Sequence, residues 1–373
     1  MCAKIAHMDK EVLGRRLAQA REDAGVTQEA LARAVGLDRT AVVRLEKGER
    51  RLSVPELVAV AEVLRRPLAF FVAEPLPAVV NRRRDGTGEH GSSRVLDTEL
   101  EAFAGDVRTL VTMGLLEVAP PDRTRHTPRN HTDVARRAQD TRDQLGLACD
   151  PINDLGLVCA SLGLFAYAAA LGPDGPDGAC VDADDDGTVG AAVINGQSPP
   201  GRRRMTLAHE LGHWLSADAY DDAAPLDTEP FVRSFAVHFL APGPGLRTVW
   251  EHHSDPPRDR ALRAAATYRL SWSAAVSQLC NTGLLSQAEH DTLRKSEPRR
   301  GDYLRLGMTW SEELASGYLS PQFCAACLTA YTHGTLTAAR TLELLRGTVT
   351  ADDLPEPVVT CDDLHSSFTG HGP

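Results

Sequence analysis

Residues 204–215 decide how this chain is interpreted, and they read Arg-Met-Thr-Leu-Ala-His-Glu-Leu-Gly-His-Trp-Leu. Their large apolar residues recur at helical spacing, which predicts a helix with one buried face. Those residues are Leu207, Leu211, Trp214 and Leu215. His209 and His213 are four residues apart, so on a helix they are separated by about 40° around the axis and one turn along it. The two imidazoles therefore point in the same direction.

Two imidazole nitrogens at this spacing can bind one Zn²⁺. Glu210 lies between them at a position that does not ligate, but its carboxylate can take a proton from an attacking water. The pattern predicts one Zn²⁺ per chain and a metalloendopeptidase with Glu210 as its catalytic base. The alternative is a helix that contains two histidines by coincidence, and the surrounding helical pattern argues against it.

A catalytic zinc site also needs a third protein ligand and an open position. Glu229 follows His213 by sixteen residues and begins an amphipathic segment, with Pro230 just inside the start, as is typical of a helix. Asp227 and His238 compete with Glu229 on residue type alone. Glu229 could also be an ordinary first-turn acid that favours the helix dipole. The spacing leaves the third ligand open.

The composition bounds the class of protein. The chain has 373 residues, enough for two or three domains, and only 5% of them are aromatic, which favours a largely helical chain. With the strands predicted below, the expected fold class is mainly α with a small β-sheet. A net charge of −11 excludes a general polyanion binder, so any nucleic-acid contact must come from a local basic face. Eight cysteines in a chain of this length, with no apolar signal core in residues 1–10, predict a cytoplasmic protein with reduced thiols.

Two apolar segments precede the histidine helix. Residues 155–172 carry no charge, but glycines interrupt them, so a buried helix to about Leu162, a break at Gly163 and a buried strand are favoured over a membrane span. After an acidic loop at residues 182–186, Val189–Ile194 is predicted as an edge strand that could hold an extended peptide by strand addition.

The first 75 residues predict five short helices: Glu11–Ala24, Gln28–Val35, a third from the cap Asp38 to Lys47, a fourth from the capping box Ser53–Glu56 to Leu64, and Pro67–Val72. The second and third helices, joined by a turn at Gly36, have the spacing of a helix-turn-helix. Their predicted core side is Leu31, Val35, Val42 and Leu45.

This N-terminal stretch resembles the XRE (lambda-repressor-like) domain, through Thr27-Gln28-Glu29-Ala30-Leu31-Ala32, Gly36-Leu37 and Leu45-Glu46-Lys47-Gly48. The resemblance implies that the third helix enters the major groove of an operator in double-stranded DNA. The candidates for base contacts are Arg39, Thr40, Val43 and Arg44, and those for phosphates are Gln28, Lys47, Arg50 and Arg51. One module reads only a half-site, which predicts a homodimer. A helical module that binds protein is the alternative.

The histidine segment, with Glu229, Phe235-Ala236 and Leu240-Ala241-Pro242, resembles the ImmA/IrrE family of metallopeptidases over roughly residues 132–290. The resemblance implies a zincin-like domain, Glu229 as the third ligand, and a repressor-like protein as substrate. The chain departs from the family pattern at Val232 and Arg233, where Ala-Asn is usual, and at Ala241, where Met is usual. These are not ligand positions.

The predicted organisation is a DNA-binding domain at 1–75, a linker with one helix (Val95–Val118) at 76–131, a peptidase domain at 132–295 and a helical region with a flexible tail at 296–373. The predicted function is a DNA-binding regulatory zinc endopeptidase. The alternative is a one-component transcription regulator whose zinc domain senses a ligand or partner without significant proteolysis. The candidates for stabilising the oxyanion during cleavage are His238, Tyr220 and residues 202–204. Separately, Cys324 and Cys327 are predicted to be thiols packed in the core.

Overall fold

The structure, a computed structural model, describes residues 10–64, 66, 68–72, 92–116, 118, 123, 130–216, 229–309 and 312–358. Contacts divide the chain into two compact units, Met1–Val80 and Asn81–Pro373. Helices predominate in both units and the second contains one three-stranded sheet, so the predicted mainly α fold with a small β-sheet is confirmed.

Within its described residues, the first unit has the helices α1 (Lys10–Asp23), α2 (Gln28–Ala34), α3 (Arg39–Glu46), α4 (Val54–Leu64) and α5 (Leu68–Val72). Thr27 and Asp38 cap α2 and α3 through their side-chain oxygens, as the sequence predicts. Ser53 and Glu56 form the predicted capping box before α4. Of the predicted core, Leu31, Val42 and Leu45 are buried and Val35 is half-buried.

The described part of the second unit has α6 (Ser92–Thr112), α7 (His131–Gln144) and α8 (Leu155–Ser161), followed by β1 (Leu164–Ala169), β2 (Gly178–Asp182) and β3 (Gly190–Asn195). It continues with α9 (Pro200–Ser216), α10 (Glu229–Leu240), α11 (Gly243–His252), α12 (Pro257–Tyr268), α13 (Trp272–Asn281), α14 (Gln287–Arg294), α15 (Arg300–Arg305), α16 (Pro321–Thr332) and α17 (Ala338–Leu344). A short 3₁₀ turn follows at Ala351–Asp353.

The strand order is β1-β3-β2, with β1 parallel and β2 antiparallel to β3. The prediction of an edge strand at Val189–Ile194 is wrong, because β3 is the central strand and is paired on both sides. A peptide therefore cannot add to it. Strand β2, which directly precedes the acidic loop, is not among the strands predicted from the sequence.

The outer edge of β1 is covered by residues 317–320. The backbone N–H of Ala168 donates to Tyr318 O over 2.9 Å, and the N–H of Ser320 donates to Ala166 O over 2.9 Å. The predicted helix, glycine break and strand across residues 155–172 are present, and Gly163 has φ 87° at the break. No helix in the described ranges combines the length and hydropathy that a membrane crossing requires.

Helix α6, which the sequence analysis assigned to a linker, belongs to the second unit. It packs on all three strands, and Leu96, Leu100, Phe103 and Val107 on its inner face are fully buried. Near the C-terminus, Arg340 and Arg346 each place a guanidinium 2.8 Å from the Asp106 carboxylate. The sheet, α6 and the C-terminal helices therefore form one folded body.

Candidate metal centre and DNA-binding surface

Helix α9, which carries the histidines, is fixed against the sheet at its C-terminal half. Trp214 is fully buried, and its indole N–H donates to Leu162 O over 3.0 Å. A Cβ on Gly190, at the start of β3, would lie 2.6 Å from the Trp214 ring, so only glycine allows this close packing. The Arg123 guanidinium lies 3.7 Å from the centre of the Trp214 ring and donates to Trp214 O over 2.8 Å.

The N-terminal half of α9 is held by Arg204. Its guanidinium is buried, donates to Ile152 O over 3.1 Å and pairs with Glu313. Burial lowers the pKa of Arg204 to about 9. Because both ends of α9 are anchored, the histidines lie on a rigid element.

Helix α10 approaches α9 closely at Gly212. A Cβ on Gly212 would lie 2.9 Å from Val232 Cγ1 and 3.1 Å from Phe235 Cδ1. At the other end of α10, buried Arg142 on α7 donates to Phe239 O over 2.5 Å and to Ala148 O over 2.8 Å. A guanidinium at the C-terminal carbonyls of α10 also complements the helix dipole. These contacts place the first turn of α10 beside the histidines.

Three donor atoms converge between α9 and α10. His209 Nε2 lies 3.2 Å from His213 Nε2 and 3.4 Å from Glu229 Oε2, and His213 Nε2 lies 3.5 Å from Glu229 Oε2. Elsewhere in the part of the chain that the structure describes, no three His, Cys, Asp or Glu side chains bring ligand atoms together in this way.

The ionisation states of this cluster suit a cation. Burial is the main cause of the lowered pKa of His209, which leaves that imidazole neutral with a free lone pair at neutral pH. A hydrogen bond from His213 is the main cause that lowers the pKa of Glu229 to about 2, so its carboxyl group is ionised. One neutral imidazole and one carboxylate are thus available as ligands without a change of protonation.

The spacing of the three donors fits zinc. Tetrahedral zinc with bonds of about 2.0–2.1 Å separates its ligand atoms by roughly 3.3–3.4 Å. The three separations between the donor atoms, 3.2, 3.4 and 3.5 Å, are close to these ligand–ligand distances. The donor set of two imidazoles and one carboxylate is one that catalytic zinc sites use.

Glu210, the predicted base, is next to His209 on α9 and is 7% exposed. The Cys180 thiol on β2 donates to its backbone carbonyl over 3.4 Å. The carboxylate is close enough to influence the pKa of His209. Glu210 is therefore a mostly buried acid that directly follows one of the donors in the sequence.

The competing candidates that the structure describes have partners away from the cluster. His238 accepts from Gln278 Nε2 over 3.0 Å through its Nδ1, and burial lowers its pKa. Asp227 and Tyr220 lie outside the described residues. Among residues 202–204, Arg202 pairs with Asp177 over 2.6 Å and Arg203 donates to Gly196 O over 2.9 Å, so neither points to the donors.

One charged residue at the cluster was missed by the sequence analysis. Arg233 Nη2 lies 3.2 Å from Glu229 Oε1, four residues along α10. The sequence does show Glu229 and Arg233 four residues apart, the spacing at which an acid and a base can pair on a helix. That spacing is common on helix surfaces, so it indicates a role only once Glu229 is identified as a candidate ligand.

The predicted thiol pair is packed as expected. Cys327 is buried and Cys324 is half-buried, and both are free thiols. Burial raises the pKa of Cys324 to about 11 and that of Cys327 to about 12, so neither forms a thiolate readily at neutral pH.

The predicted DNA contacts lie on α2, α3 and the residues that follow. Arg39, Thr40, Arg44, Lys47 and Arg51 are exposed, and Val43 is half-buried on α3. The other two predicted contacts bind carboxylates within the unit. Gln28 Nε2 donates to Glu46 Oε2 over 2.7 Å, and Arg50 Nη2 pairs with Glu56 Oε1 over 2.6 Å.

Comparison with known proteins bears on this first unit. Residues 17–71 match a family model described as helix-turn-helix. These residues form an XRE-type helix-turn-helix domain. The match supports a DNA-binding role in regulation, and it covers α2 and α3 with all eight predicted contact residues. No curated protein and no solved structure matches the chain.

Proposed function

We propose that this protein is a DNA-binding regulatory zinc endopeptidase. The observation that carries the proposal is the triangle formed by His209 Nε2, His213 Nε2 and Glu229 Oε2, whose edges are close to those expected for a tetrahedral zinc site. Glu210, the residue type that such a site uses as a base, is buried beside it. The resemblance of residues 204–242 to the ImmA/IrrE family supports the same activity.

His209, His213 and Glu229 would hold one zinc ion. Bound zinc would supply Lewis acidity, which polarises the scissile carbonyl and lowers the pKa of water. Glu210 accepts the proton of the attacking water and delivers it to the departing amine nitrogen. The new C–O bond forms first and the peptide C–N bond breaks afterwards. The remaining proton of the water also ends on the amine, so the products are a carboxylate and a protonated amine.

The helix-turn-helix domain and the resemblance to the peptidase family together define the expected targets. The protein binds an operator as a homodimer in the cytoplasm and cleaves a repressor-type protein, so that cleavage changes transcription. A peptidase domain in a gene regulator is expected to act on a specific protein and not on bulk peptide.

The decisive experiment compares wild type with Glu210→Gln and His209→Ala. Glu210→Gln keeps all three ligands, so it retains zinc by elemental analysis and loses about 10²–10⁴-fold in cleavage rate, the usual contribution of a general base. His209→Ala loses both zinc and cleavage. An unchanged zinc content in His209→Ala would show that the metal is bound elsewhere.

One observation favours the second candidate, a regulator whose zinc domain senses a ligand. A cavity of about 580 Å³ lies at the N-terminal end of α9 and is lined by residues that include Pro200, Gly201, Trp272, Tyr303 and Leu304. This volume is within the range of small-molecule sites, about 300–1,000 Å³. In a pure sensor, Glu210→Gln would leave regulation of a reporter promoter intact, whereas the peptidase requires Glu210.

A further inference from the structure

The two oxygens of Glu229 have different partners. Oε2 lies 3.4 Å from His209 Nε2 and 3.5 Å from His213 Nε2. Oε1 lies 3.2 Å from Nη2 of Arg233. The carboxylate is therefore divided between the donor cluster on one side and a guanidinium on the other.

This division determines how Glu229 can ligate. A carboxylate can bind a cation through one oxygen or through both. If one oxygen is engaged by a guanidinium, only the other is available, and the cluster then offers three donor atoms. Three donors leave one tetrahedral position open, which is what a catalytic site requires and a structural site lacks.

Few other described contacts act on the Glu229 side chain. Glu229 is the first residue of α10, and its side chain is about half exposed. The contacts that fix α10 against α9, from Val232 and Phe235 to Gly212, act on the helix and not on the carboxylate. The rotation of the carboxylate thus depends on the group that holds Oε1.

We propose, resting on the zinc site inferred above, that Arg233 is a positioning residue which keeps Glu229 a one-oxygen ligand and so keeps the fourth position open. Partners that hydrogen-bond to a ligating carboxylate orient it and tune the metal. Arg233 is suited to this because it reaches Oε1 from one turn along the same helix. The Arg233 side chain is 71% exposed. An ion pair this exposed contributes little to the stability of the fold, so the role proposed for Arg233 is to orient the Glu229 carboxylate.

The chain offers a matched control. Arg247 and Glu251 form the same (i, i+4) pair on α11, 3.8 Å apart, with the arginine 55% exposed. Neither residue is in the donor cluster. Arg247→Ala therefore removes an equivalent surface pair without touching the site, and Arg233→Lys keeps a cationic donor at the site.

The experiment loads each full-length protein with Co²⁺ and records its visible absorption, because four-coordinate Co²⁺ absorbs more strongly than five-coordinate Co²⁺. Arg233→Ala is expected to lose band intensity, since both oxygens of Glu229 can then turn to the metal. Arg233→Lys restores part of the intensity, and Arg247→Ala matches wild type. With a cleavable substrate, Arg233→Ala lowers kcat by about 10–100-fold with little change in KM.

Three results would overturn the proposal: a wild-type spectrum in Arg233→Ala, loss of cobalt binding in that variant, or the same spectral change in Arg247→Ala. The second would show that Arg233 is needed to form the site and does not set its coordination. Failure of wild type to bind Co²⁺ or Zn²⁺ is a different result, which would overturn the zinc site itself and the proposed function with it.

Discussion

At the scale of single residues, the candidate site depends on one position without a side chain. Gly212 lies between the two histidines on α9 and faces α10, where Val232 and Phe235 leave no room for a Cβ. The separation of the two helices sets the distance between Glu229 and the imidazoles. Gly212 therefore controls whether the third ligand can reach the other two.

Gly212→Ala should weaken zinc binding and lower the stability of the second unit. The added methyl group would lie 2.9 Å from Val232 Cγ1, so the helices must move apart, and overpacking of this kind usually costs about 1–3 kcal/mol. Chelator competition measures the affinity, and urea unfolding measures the stability.

The control is Gly105→Ala on α6, where a Cβ would meet nothing within 4 Å. That change should leave zinc binding unaltered and stabilise the protein by about 0.5–1 kcal/mol, because alanine favours the helix. If Gly212→Ala and Gly105→Ala had equal effects on zinc affinity, the distance between α9 and α10 would not determine how tightly zinc binds.

At the scale of elements, the capping box before α4 connects the stability of the DNA-binding unit to pH. Arg50 and then Ser53 are the main causes that lower the pKa of Glu56 to about 2, from its ordinary value near 4.5. The ionised form is the one that is stabilised. Its contribution is therefore present above pH 4.5 and is lost as the pH falls towards 2.

Glu56→Gln should destabilise the helix-turn-helix unit at pH 7 and make much less difference at pH 2. Thermal unfolding of residues 1–80, which have their own core, measures both values. Glu49→Gln, an exposed neighbour, should change neither. A constant difference between wild type and Glu56→Gln from pH 7 to pH 2 would contradict this assignment.

Elements also show what the sequence can and cannot predict. The ranges of α2–α4 and the positions of the histidines followed from helical periodicity and capping residues, which are local. The central place of β3 did not follow, because strand order depends on pairings with β1 and β2 that no local pattern encodes. Strand β2 is short and precedes a run of aspartates, so its apolar signal is weak.

The candidate site divides in the same way. The histidine pair could be predicted from spacing, while Glu229 needed the family resemblance to distinguish it from Asp227 and His238. Arg233 could not be selected, because its interaction matters only for the rotation of one carboxylate. Arg202 and Arg203 were considered for a chemical role, but their partners Asp177 and Gly196 become visible only in the fold.

At the scale of the whole molecule, the two units have separate hydrophobic cores. The proposed zinc ligands all lie in the second unit, and the predicted DNA contacts all lie in the first. The two activities should therefore respond to different changes in the chain.

Zinc should stabilise the second unit alone. At a free concentration 100 times its Kd, a ligand adds about 2.7 kcal/mol to the stability of the folded state that binds it. Hydrogen exchange should slow about 100-fold for the most protected amides of α9 and α10 and stay unchanged in α2 and α3. Mg²⁺ prefers oxygen ligands and should have no such effect.

Arg44→Ala should weaken specific DNA binding and leave zinc content and peptide cleavage unchanged. Arg44 is exposed on α3, the helix expected in the major groove, where one lost base contact costs about 1–3 kcal/mol. Exposed Arg294 on α14 provides the control, since Arg294→Ala should alter none of these properties. If unbiased selection finds no preferred DNA sequence for wild type, the DNA-binding role fails.

The backbone pairing of residues 317–320 with β1 also bears on solubility. An uncovered strand edge presents a row of unpaired N–H and C=O groups, which recruit strands from other molecules and begin aggregation. In this chain, a segment more than 140 residues away in sequence occupies that edge. Any shortened form that ends before residue 312, even with every zinc ligand intact, should therefore self-associate. Residues 317–320 therefore protect from misassembly the sheet that supports the histidine helix.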